Sequence, residues 1–126
     1  MAFTDFLEHK LVAHTFSATP YTSPSTVYVA LYTVAPTDST TGTEVSGGGY
    51  ARQSASFTTT GNAATNASAI EYPTATGNYG TVVAVAILDA SSSGNMLAYA
   101  TLSASKTIST GDVFRIPAGD LDITLD

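Results

Sequence analysis

The chain has 126 residues, 44% hydrophobic and 11% charged, with a formal net charge of −6. That length predicts a single compact domain over residues 1–126, and the composition excludes a disordered chain. The absence of cysteine excludes disulfides and thiolate metal sites. The scattered basic residues Lys10, Arg52, Lys106 and Arg115 form no phosphate-neutralising stripe, so no nucleic acid and no membrane surface is expected as a partner.

The first eight residues have neither a basic region nor an apolar run, and they do not read as a secretory signal. Thr4 to about Phe16 is the one good helix candidate. Thr4 or Asp5 is placed to cap it, and Asp5 with Glu8 has the spacing of a capping box. Both carboxylates also suit the positive end of the helix dipole. Phe3, Leu7 and Leu11, with Phe6 beside them, form one apolar stripe. A helix of about 18 Å is marginal alone, so it must dock on its own sheet or on a neighbouring subunit.

After Phe16 the composition turns to Ser, Thr, Ala, Gly, Val and Tyr. Val27–Thr33 reads as a strand ended by Pro36, and Thr37–Gly49 as a long polar connection. Tyr50–Phe57 is a weakly alternating strand, Thr58–Asn66 a loop, and Ser68–Tyr72 a short strand stopped by Pro73. Thr81–Leu88 is apolar on both faces and therefore expected to be central. It is far too short to span a bilayer. Asp89–Asn95 turns into Met96–Leu102, which predicts a hairpin. Thr107–Ser109 and Val113–Ile116 are brief. Leu121, Ile123 and Leu125 then alternate with Asp120, Asp122, Thr124 and Asp126. The expected fold class is all-β: a single-domain β-sandwich or jelly-roll of about eight short antiparallel strands with one short N-terminal helix.

Candidate chemistry is sparse. His9 and His14 do not have the i, i+4 spacing that puts two ligands on one helical face, and they read as exposed polar residues. Asp120, Asp122 and Asp126 share a strand face, but same-face side chains sit about 6–7 Å apart, whereas calcium needs a curved loop. They read as a solvated face that protects a sheet edge, with a subunit-bridging cation as the lesser alternative. No Gly-x-Ser-x-Gly elbow and no serine or cysteine triad is present. Gly47–Gly49 lacks the Lys-Ser/Thr of a phosphate loop and reads as a joint or tight turn. Asn66-Ala67-Ser68 matches a glycosylation sequon but is discounted without an export signal. No enzyme, catalytic residue, metal or cofactor is expected. Seven tyrosines without a tryptophan are a real bias. Tyr28 and Tyr32 share one strand face, which suits either a half-buried subunit surface or the rim of a core.

The order of segments adds more. The stretches Gly47-Gly-Gly-Tyr-Ala-Arg52, Tyr72-Pro-Thr-Ala-Thr-Gly77 and Ala118-Gly-Asp-Leu121 fall in succession after the helix Asp5–Leu11 and the strand Val27–Thr33. Over nearly its whole length the chain resembles a family of small tailed-phage virion structural proteins, tail-fibre-like or capsid-decoration-like. The resemblance implies a non-enzymatic virion component, assembled in the host bacterial cytoplasm. It implies no catalytic residue.

Long fibres usually carry repeats or coiled-coil shafts, and neither is present. A capsid decoration (cement) protein is therefore the expected role, bound to the major capsid protein as a symmetric oligomer, with a trimer favoured. The alternative is a tail or tail-fibre component that acts as a receptor- or carbohydrate-binding module, with tail proteins as its partners. The candidate interface residues are Phe3, Phe6, Leu7, Leu11, Tyr28, Tyr32 and Tyr50.

Overall fold

The computed structural model describes residues 1–125. The chain opens with β1 (Ala2–Phe3) and passes directly into α1 (Asp5–Phe16). Thr4 is the N-cap, its side chain accepting from Leu7 N at 3.4 Å. Asp5 and Glu8 therefore lie within the first turn instead of forming the capping box that their spacing suggested. The strands β2 (Val27–Val34), β3 (Thr43–Glu44), β4 (Gln53–Ala55), β5 (Phe57–Thr60), β6 (Ala63–Asn66) and β7 (Ile70–Glu71) follow. The chain ends with β8 (Gly80–Leu88), β9 (Met96–Ile108), β10 (Arg115–Ile116) and β11 (Asp122–Thr124).

Among the described residues all pairings are antiparallel and fall into three sheets. The main sheet runs β1-β9-β8-β2-β3, with β4 also on β2; β10-β7 and β11-β6-β5 are smaller. The class is thus all-β with one N-terminal helix. Among the described residues the strands do not close into the expected sandwich or jelly-roll.

The expectation for β8 holds. It lies between β9 and β2, and Val82 and Ala84 to Leu88 are buried. Alternation along β2 and β8 sends Val29, Leu31, Val85 and Ile87 to one face, where Ile70, Tyr72, Phe114, Ile116 and Leu121 from the smaller sheets and loops complete the main core. Each fully buried Val or Leu there contributes roughly 1.5–3 kcal/mol. The opposite face carries Ala30, Tyr32, Ala84, Ala86, Leu88 and Met96. The segment after β2 crosses this alanine face: Asp38 accepts from the Tyr99 hydroxyl on β9 at 2.5 Å, and its carbonyl accepts from Asp5 N at 3.0 Å.

Three segments depart from expectation. Thr58–Asn66, read as a loop, is the β5–β6 hairpin, reversed at Gly61, whose φ of 60° suits a residue without a Cβ. Its threonines favour strands but supply no apolar alternation to announce one. Met96–Leu102 and Thr107–Ser109, read as two strands, are joined in the single strand β9, which ends at Ile108 and is interrupted by a bulge where Val82 pairs with Lys106 but Ala84 pairs with Thr101. Thr37–Gly49 contains β3. The β8–β9 hairpin is present as expected.

Candidate functional site

Two short strands meet the outer edge of β2 in succession. β3 pairs at Tyr32 and Val34, and β4 pairs at Val27–Val29. Between them the chain leaves the edge through the Gly47-Gly-Gly-Tyr-Ala-Arg52 stretch. Gly48, at φ 62°, turns against Gly77, and Gly48 O accepts from Thr76 N at 2.9 Å. This detour leaves the Leu31 N–H facing a gap, and the Tyr50 hydroxyl fills it at 3.0 Å. The Tyr50 ring lies in the main core, stacked on Tyr72 with centroids 6.1 Å apart and edge-on to Tyr79 at 5.7 Å.

Glu44 stands opposite Tyr32 and so belongs to the alanine face. The phenol of Tyr50 therefore reaches through the sheet edge from one face to the other, where it donates to Glu44 Oε2 at 2.7 Å. Arg52 binds the same carboxylate twice, Nε to Oε2 and Nη2 to Oε1, both at 2.9 Å. Its Nη1 donates to Ala90 O at 2.9 Å and Ser93 O at 2.8 Å, which ties the β8–β9 turn to the edge.

Burial alone would raise the Glu44 carboxyl, but the hydrogen bonds from Arg52 and Tyr50 and the guanidinium charge outweigh it and hold the group below its ordinary value. Burial and then the Glu44 carboxylate push the Tyr50 phenol upward. Burial and the charge on Glu44, opposed by Arg52, raise Tyr32 to about 12. The cluster is a charge-balanced clamp in which both ionic partners are committed to each other.

The second feature is apolar. α1 has no buried residue, and a groove of about 680 Å³ runs beside it, lined by Met1, Phe3, Leu11, Val12, Phe16 and Leu125. Phe16 is 82% exposed.

The sequence-derived candidates divide between these places. Phe3 and Leu11 line the groove. Phe6 and Leu7 pack against the main core, and Tyr50 is built into the clamp. Tyr32 is 3% exposed beneath it, and Tyr28 is half-buried opposite Leu88. Val12 and Phe16 were missed although their spacing from Glu8 marks a second helical stripe. Glu44 and Arg52, eight residues apart across a glycine loop, carry no periodic signal at all. His9 and His14 are exposed, and His14 Nδ1 accepts from Tyr21 N at 3.1 Å. Asp120 and Asp122 are exposed; Asp126 lies outside the described residues. Among the described residues no group of three or more His, Cys, Asp or Glu is placed to hold a metal ion.

The family model described as "Podophage GP4 fiber I protein gp80" matches residues 2–124. The chain belongs to this family. It is a non-enzymatic structural protein of the phage virion, consistent with a fibre or tail component, and it associates with other virion components. Capsid decoration was the expected role, and the match to this podophage fibre family favours the tail instead. No curated protein matches the chain. The absence of shaft repeats, which pointed to the head, describes how a long shaft is built and does not exclude a compact fibre subunit.

Proposed function

We propose that the chain folds as one unit over its length and serves as a compact subunit of the tail fibre, held to its neighbours in the virion along α1. The family match supports the fibre, and the groove beside the helix carries the choice of surface. A helix of twelve residues is marginal in water unless packing holds it, and its outer stripe of Val12 and Phe16 is apolar and uncovered. Covering that stripe buries apolar side chains at no cost to the fold beneath. A symmetric oligomer, with a trimer favoured, fits a fibre built from one repeated contact.

The test is a phage carrying Val12→Asp with Phe16→Asp. Both side chains are exposed, so the isolated variant keeps the thermal unfolding midpoint of the parent, while purified particles lack the protein. Particles that incorporate the variant at the parental level would remove the helix from this role.

A further inference from the structure

The alanine face carries a second cavity, of about 220 Å³, between the segment leading into β3 and the β8–β9 turn. Leu88, Met96 and Tyr32 line it together with the Glu44–Arg52 pair, and Thr41 and Ser93 complete the polar lining. Tyr32 is 3% exposed as a whole residue, and its hydroxyl, which bonds none of the described residues, is not a buried unpaired atom and so stays accessible.

The clamp also keeps capacity in reserve. Of the five N–H groups of a guanidinium, Arg52 commits one on Nε, one on Nη2 and both on Nη1. One N–H on Nη2 remains. Among the described residues Glu44 Oε2 accepts from both Tyr50 and Arg52, whereas Oε1 accepts only from Nη2. Side by side the pair thus offers one donor and one acceptor, and its charges cancel. An anion meets Glu44, a cation meets Arg52, and an apolar guest leaves the hydroxyl of Tyr32 unpaired.

What matches is an uncharged molecule with neighbouring hydroxyls on one side and a C–H surface on the other. We propose that this cavity binds one neutral sugar ring, its C–H face on Leu88, Met96 and the Tyr32 ring, two adjacent hydroxyls on Glu44 and Arg52, and a third oxygen on the Tyr32 hydroxyl. The site adds a recognition role to the fibre reading, but its chemistry stands on the cavity alone.

The test is an NMR titration of the full chain with the methyl glycosides of glucose, galactose, mannose and N-acetylglucosamine, with glucuronate and glycerol as comparators. At least one neutral glycoside should produce saturable shifts at the Met96 methyl and the amides of Thr41, Ser93 and Gly94, and glucuronate should bind more weakly. Tyr32→Phe removes a hydroxyl that bonds nothing in the fold, so the variant stays folded and its affinity falls about three- to tenfold, the worth of one hydrogen bond. Linear shifts, shifts matched by glycerol (an adventitious additive only), or an unchanged affinity in Tyr32→Phe would each overturn the proposal. A cavity that none of the glycosides perturbs holds water only, which overturns it too. Those results leave the number of copies per particle untouched, so they do not decide whether the chain is a fibre subunit.

Discussion

The hydroxyl of Tyr50 accepts the backbone N–H of Leu31 at 3.0 Å, in the position where an adjoining strand would present a carbonyl. Leu31 is fully buried, so water cannot replace that acceptor without opening the sheet edge. The same hydroxyl then donates to Glu44, linking the two short strands that share the edge of β2. Tyr50→Phe keeps the stacked ring and removes only the oxygen. We expect a loss of about 1–3 kcal/mol, the cost of a buried donor left unpaired, measured by urea unfolding. A variant as stable as the parent would show that the edge closes without the phenol.

Glu44 gives the clamp a pH dependence. Its carboxyl lies below the ordinary value of 4.5 in the folded chain, so the pair contributes stability above the ordinary glutamate range. That contribution is lost as the pH falls through the depressed folded value. Unfolding free energy measured from neutral to acidic pH should therefore drop on the acid side. Glu44→Gln should be less stable at neutral pH and show a shallower acid drop. Parallel curves for the two proteins would assign the acid sensitivity elsewhere.

Gly48 has two independent reasons to be glycine. Its φ is 62°, and a Cβ there would lie 2.5 Å from the carbonyl oxygen of Gly77. The backbone strain alone costs about 1–3 kcal/mol, and the contact with Gly77 adds to it because both partners are backbone. Gly48→Ala should lower the thermal midpoint clearly. Gly47→Ala, where no atom lies within 4 Å of the added Cβ, should lower it less.

The segment between α1 and β2 contains a contrasting case. The hydroxyl of Tyr21 is buried without a partner among the described residues, while its ring packs edge-on against Phe6 at 6.4 Å. Tyr21→Phe keeps the ring contact and removes the unpaired oxygen. The expected outcome is unchanged stability or a gain of up to about 1 kcal/mol; a loss would mean that the hydroxyl is satisfied in solution.

What could be read from the chain follows from which forces leave a local trace. The central strand β8 was legible because burial on both faces writes a continuous apolar run. The helix was legible because Thr4 and the acidic first turn mark its start. The β5–β6 hairpin was not, since Thr58, Thr59 and Thr60 face outward and leave no alternation. The clamp was invisible for a different reason: Glu44, Tyr50 and Arg52 meet only because β3 and β4 both dock on β2, a long-range fact. The groove was half legible. Phe3 and Leu11 were singled out, but Phe16 was not, although it stands one turn beyond Val12 on the same stripe.

Copy number in purified virions separates a fibre subunit from a protein of the capsid lattice. Quantitative mass spectrometry against the major capsid protein supplies it. For a fibre subunit the expectation is a small complement, a fixed multiple of the number of fibres and far below the capsid subunit count. A ratio near one-to-one with the major capsid protein, or one set by the symmetry axes of the head, would contradict it and restore the decoration role.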